Sequence, residues 1–197
     1  MERYQSVTLS GDIMKVNKIP FMVTINTAIK FGTTEVIKNQ KATTIMTAIT
    51  HVYNVYRGRG FNVKDMGMDG EFEPLRGNLA SIGITLNTAS RDEHVPDIER
   101  RIRTIKERAR STYNTLPFNK LPAQMTVQMV YHSNFWLNVF TPSPGVSGLI
   151  SPRELMTGQR IDYNKHCKLE YGAYAQVHEQ HDNSITFRSE SSGSRQR

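Results

Sequence analysis

The sequence predicts an α/β fold: a ribonuclease-H-like mixed sheet, made of a three-strand antiparallel meander plus two further strands, flanked by helices. Three observations carry this. Three short β-rich runs follow one another closely between residues 12 and 39, and the apolar period then switches from two to about 3.6. The remaining strand-like runs alternate with helical ones. Such an order covers the faces of one sheet with helices.

Residues 12–16, "DIMKV", alternate weakly and meet Asn17-Lys18, a pair suited to a tight turn. "IPFMVTI" (19–25) is a more apolar strand, and "TTEVIKN" (33–39) a third with β-branched residues. From Lys41, Ile45, Ala48, Ile49, Val52 and Tyr56 form a helical stripe that stops at "RGRG", where Gly58 and Gly60 break it. "FNVKDMGMD" (61–69) alternates as a strand would, and "FEPLRGNLASIG" reads as a loop with one or two helical turns. In "ITLNTA" (84–89), Ile84, Leu86 and Thr88 fall on one side. A helix is predicted from Pro96 to about Asn114. A second runs from Leu121 or Pro122 to Phe140, with Met125, Met129, Trp136 and Phe140 among its apolar positions. The expected layout is a lead (1–11), a core (12–140), an extension of that core (141–177) and a polar, Ser-containing, disordered tail (178–197).

At 197 residues the chain suffices for one domain with a real core. It has no run of about 18 apolar residues, so no membrane partner is expected. Cys167 is the only cysteine, which excludes an internal disulfide and any zinc site needing two thiolates. The six histidines lack zinc-ligand spacing. The N-terminus has no apolar secretory region, so a cytoplasmic or nuclear location is expected.

The net charge of +7 and a pI near 9.6 raise the odds of a polyanionic partner. The charge is concentrated in "HVPDIERRIRTIKERAR" (94–110). There Ile98, Ile102, Ile105 and Ala109 make an apolar stripe, and Glu99, Arg103, Lys106 and Arg110 form a face beside it. Between Arg100 and Arg110 stand six basic residues against one acid, Glu107. A solvated helix mixes its signs better, so Arg100, Arg103, Lys106 and Arg110 are candidates for phosphate contact. In the predicted layout Asp12 opens the first strand, Asp69 ends the fourth and Glu99 lies in the first turn of the next helix. These three can converge at one edge of the sheet. Like charges at about 4 Å cost on the order of 4 kcal/mol per pair at an effective dielectric near 20, and a divalent cation removes that cost. Oxygen ligands suit magnesium or manganese, and two such ions can polarise a phosphodiester for in-line displacement. Each acid also has an ordinary reading: Asp12 after Gly11 and Asp69 before Gly70 as turn residues, Glu99 as an i,i+4 partner of Arg103 at a helix N-terminus.

Taken together, these motifs resemble the integrase catalytic core of retroviruses and long-terminal-repeat retrotransposons, most closely the copia-type polyproteins. "GDIMKVNKIPFMVTINTAIKFGTTEVI" resembles the family's first strands, and "MDGEFEPL" its Asp-Asn-Gly-x-Glu-Phe segment. "IERRIRTIKERAR" resembles its Glu-Arg-x-x-Arg-Thr helix, and "SPRELMTGQRIDYNKHCKLEYGAYAQV" its Thr-Pro-x-Glu-Leu-x-x-Gly region. The resemblance implies Asp12, Asp69 and Glu99 as a catalytic, metal-binding triad using Mg2+ or Mn2+. It also implies strand transfer between element ends and target DNA, and action as a homo-oligomer. The second and third acids are closer in sequence here than in the family. The loop between them reads Arg91-Asp92-Glu93-His94 where the family carries a Pro-x-x-Pro-Gln-x-Asn-Gly run. The family's zinc, protease and polymerase segments have no counterpart, so a fragment of such a polyprotein is expected. Two alternatives stand beside this reading: a catalytically inactive nucleic-acid-binding fragment of a decayed element, and a ribonuclease H. The latter is disfavoured because no fourth acidic ligand is evident.

Overall fold

The computed structural model describes residues 6–89, 96–142 and 147–175. The loop at Arg91–His94 and the tail from His178 lie outside the described residues. β1 (Ser6–Val16), β2 (Ile19–Asn26) and β3 (Gly32–Val36) form the antiparallel meander. Asn17 and Lys18 both take positive φ (48° and 66°), the backbone required by a two-residue hairpin turn. α1 (Ala42–Arg57) ends at Gly58 and leads to β4 (Asn62–Asp69). A 3-10 turn (Gly70–Leu75) and α2 (Arg76–Ser81) follow, then β5 (Thr85–Ala89), α3 (Pro96–Thr115) and α4 (Ala123–Val139). Two short helices, α5 (Pro152–Thr157) and α6 (Tyr163–His166), end the described chain. The five strands lie in the order β3-β2-β1-β4-β5, with β1, β4 and β5 mutually parallel. The fold class agrees with the expectation.

One core lies between the sheet and α1. Leu9, Met22, Met66, Met68 and Leu86 meet Ile45, Ile49, Val52 and Tyr56 there. The other lies on the opposite face, where Met14, Phe21, Val23 and Ile25 meet Ile98, Ile102 and Ile105 of α3 and Val127 and Val130 of α4. Gly11 makes the first core possible: a Cβ there would stand 2.7 and 2.8 Å from the Met66 and Met22 methyls.

β1 begins six residues before the strand read from the sequence, so Asp12 sits within it rather than opening it. The missed half, "SVTLSG", is the part that pairs with β4, and its partner is distant in sequence. In α4, Phe140 is exposed and caps the helix, whereas Ser133, Asn134 and Asn138 are buried. α5 follows its local signals. Ser151 accepts from the Glu154 N–H, Pro152 starts the first turn, and Gly158 closes the helix at φ 70°. Its Met156 joins the α1-side core.

Candidate functional site

β1 and β4 run parallel with Ser10 opposite Gly67, so Asp12, two residues on, stands level with Asp69. Leu9, Met66 and Met68 point into the α1-side core, and Met14 into the other. Alternation along a strand therefore sets Asp12 and Asp69 on the face that α3 covers. The two acids occupy neighbouring central strands, at the carboxyl ends of the parallel half of the sheet, rather than its edge. In open α/β sheets that is where ligands bind. Glu99, exposed on the first turn of α3, is close enough to act on Asp12 electrostatically.

Burial raises the Asp12 carboxyl above the usual carboxylate range. Its hydrogen bond from the Ile13 N–H (2.6 Å) opposes this, and the charges of Glu71, Asp69 and Glu99 add to the rise. The three predicted acids thus share one electrostatic neighbourhood. Glu71, in the 3-10 turn, also acts on Asp12 electrostatically, an acid that the sequence reading did not single out. Its signal lay in "MDGEF", two residues after Asp69 and hidden by a turn-like context. Asp69 accepts from the Gly70 N–H (2.7 Å) and caps that turn. Among the described residues no three acidic, histidine or cysteine side chains are grouped closely enough to hold one metal ion. Asp12 and Asp69 each accept from the next residue's backbone N–H. The donor set itself, carboxylate oxygens alone, fits magnesium or manganese.

The four predicted basic residues separate. Lys106 and Arg110 line a groove of about 790 Å³ together with Lys15, Lys120 and Tyr113. Lys15 lies three residues beyond Asp12 on β1, and Lys106 two turns beyond Glu99, so this groove lies along α3 on the flank that carries Glu99. Arg103 shares that flank and is exposed. Lys15 and Lys120 were not singled out in the sequence, since only the fold brings them beside α3. Arg100 lies on the opposite flank, where it lines a different cavity with Lys30, Asp97 and Arg101. The helical period accounts for this placement: Arg100 is one turn from Asp97 and Thr104 and next to, not above, Glu99.

Arg101 departs furthest from the basic-cluster reading, being 8% exposed. Its Nη2 donates to Asn134 Oδ1 (2.6 Å) and Asn138 Oδ1 (2.7 Å), and its Nε to Asn134 Oδ1 (3.2 Å). Both asparagines also donate to the Gly32 carbonyl, and Asn138 Oδ1 accepts from the Gly32 N–H. A Cβ at Gly32 would stand 2.7 Å from the guanidinium, so only glycine fits there. Burial pulls the Arg101 pKa down to about 10, which leaves it cationic at neutral pH.

Two solved structures share this arrangement of strands and helices. The HTLV-2 integrase catalytic core domain, in a magnesium complex described as a trimeric form, matches with a TM-score of 0.55 and 16% identity. The match covers 76% of this chain and 95% of that one. The catalytic core domain of BIV integrase matches at 0.53 and 17% identity, over 77% of this chain and 93% of that one. The fold is that of a retroviral integrase catalytic core. No protein-family model and no curated protein matches the sequence.

Proposed function

We propose that the chain is an integrase-type catalytic core that performs metal-dependent DNA strand transfer, derived from a copia-type retrotransposon and acting in the nucleus as a homo-oligomer. One observation carries the reading. Asp12 and Asp69 stand level on adjacent parallel strands, and Glu99 on the first turn of α3 acts on Asp12 electrostatically, in the fold of integrase cores. Asp12, Asp69 and Glu99 would hold magnesium or manganese, the former being the ion in the HTLV-2 complex. Such an ion supplies positive charge that polarises the scissile phosphodiester and favours ionisation of the attacking hydroxyl. The chain's own contribution is positioning. Lys15, Lys106, Arg110 and Lys120 line the groove further along the α3 flank that carries Glu99 and hold backbone phosphates along it. A 3′-hydroxyl of the incoming strand attacks phosphorus and loses its proton. The old P–O3′ bond breaks, and the departing 3′-oxygen takes up a proton.

A second reading has an observation of its own. Between the second and third acids the sequence reads Arg91-Asp92-Glu93-His94 in place of the run that integrase cores carry there, a departure that fits a relic that binds nucleic acid without reacting. A strand-transfer assay on short duplexes with magnesium or manganese separates the two. The catalytic reading expects joined product from the parent chain and none from Glu99→Gln or Asp69→Asn, while both variants keep their DNA affinity. DNA binding without product from the parent in either metal establishes the relic.

A further inference from the structure

α3 has a second working flank, away from Glu99. Asp97, Arg100, Arg101, Thr104 and Arg108 recur at helical spacing there and line a cavity of about 280 Å³ that also takes in Lys30 of the β2–β3 turn. Lys30 adopts a left-handed backbone (φ 58°) and its Nζ lies 2.7 Å from Asp97 Oδ2. The only acid among the lining residues is thus already neutralised by one of the four cations. Arg101 is over nine-tenths buried, and its described hydrogen bonds end on neutral amide and carbonyl oxygens rather than on a carboxylate. These partners satisfy its hydrogen bonds without cancelling its charge, so Arg101 adds to the positive field that Arg100 and Arg108 give the cavity.

A second cavity, of about 460 Å³, adjoins the first, sharing Arg108 and Phe140 with it. Its walls include His132, Trp136 and Tyr163, and the Trp136 and Phe140 rings stack with centroids 5.9 Å apart. Aromatic walls beside a cationic pocket are the two parts of a single-strand nucleic-acid site, one for a base and one for its phosphates.

The geometry points to a second nucleic-acid site, in which the Arg100–Arg101–Arg108 pocket takes backbone phosphates of a single strand and the Trp136–Phe140 cavity takes an adjoining base. The site does not depend on the strand-transfer reading, since it shares no residue with the acids or with the Lys106–Arg110 groove.

Trp136 is the only tryptophan in the chain, so its fluorescence reports on this cavity alone. The full chain is titrated with a short oligo(dT) and, separately, with inorganic tripolyphosphate. The expected result is saturable quenching by oligo(dT). Arg100→Glu and Arg108→Glu, both at exposed positions, should weaken it about tenfold or more. The same quenching should survive Lys106→Glu/Arg110→Glu, which removes the other flank. Tripolyphosphate should compete with oligo(dT) without quenching by itself. Circular dichroism confirms that each variant is folded, and the exposed positions avoid dependence on an Arg101 variant. The proposal is overturned if oligo(dT) leaves Trp136 fluorescence unchanged, or if the quenching disappears with Lys106→Glu/Arg110→Glu but not with Arg108→Glu. Quenching by tripolyphosphate at least as strong as that by oligo(dT) would assign the pocket to free polyphosphate and overturn the strand.

Discussion

Arg101 brings a full charge into the junction of α3, α4 and β3, and the surrounding polar groups are arranged to satisfy it. Asn138 alone joins three elements: its Oδ1 accepts from Arg101 and from the Gly32 N–H, and its Nδ2 donates to the Gly32 carbonyl at 2.7 Å. Asn138→Leu has a similar volume but takes an acceptor from a buried guanidinium and from the Gly32 N–H, and leaves the Gly32 carbonyl with Asn134 alone as its side-chain donor. We expect it to destabilise the chain by about 3 kcal/mol in urea titration. Its cost should fall when Arg101 is already Met, because the charge that needed Asn138 is then gone. Simple additivity in that double-mutant cycle would show that the two side chains do not interact. Neither partner was legible in the sequence. Arg101 looked like one more cation in a basic run, and two asparagines in an apolar helix gave no sign of their target.

At the scale of the element, α3 presents three sides, and this division explains how one helix can hold the sheet and still carry two sets of cations. Ile98, Ile102, Ile105 and Ala109 are buried, with the Lys106–Arg110 flank on one side and the Arg100–Arg108 flank on the other. The apolar period showed where the helix would pack. A count of charges could not show that the cations divide between two flanks, since that depends on what packs beside each. For duplex DNA the Lys106 flank is predicted to dominate. Lys106→Ala or Lys120→Ala should each reduce the slope of log affinity against log salt by about 0.9 for a lost phosphate contact, equally for all sequences. Salt titrations with labelled duplex measure this, and unchanged slopes would make the groove a solvated surface.

For the molecule as a whole, the sheet carries the central electrostatic tension. It sets Asp12 among the carboxylates of Glu71, Asp69 and Glu99, and burial holds its proton more tightly in the folded chain than in the unfolded one. A carboxyl raised in the folded state makes stability fall as pH rises from its ordinary value of 3.8 through the raised folded value, so the ionised group is a liability at neutral pH. In EDTA at pH 7, Asp12→Asn should therefore melt higher than the parent by about 2–4 °C, the response of a chain this size to ~1 kcal/mol. Its lead should shrink as pH falls through that window. Millimolar manganese should reverse the order, since a cation bound to the folded state stabilises the parent by mass action. Equal responses of both proteins to manganese would count against a shared metal site.

The sequence by itself determined the order and type of the elements from β1 to α4, whereas α5 and α6 were not read from it. Tight turns, helix breaks and apolar periods are local signals, and the Asn17-Lys18 turn and the Gly58 stop each act within a few residues of chain. It also named three acids whose shared neighbourhood the fold then provided. Tertiary structure alone decided that β1 extends back to Ser6, that Glu71 joins the acids, that Lys15 and Lys120 complete the groove, and that Arg101 lies in the core beside an aromatic cavity. Each of these depends on a partner distant along the chain: β4 for the start of β1, Gly32 for Arg101, α4 for the aromatic wall. Distant pairings leave no periodic mark in the residues that make them, and chain closure is what brings them together.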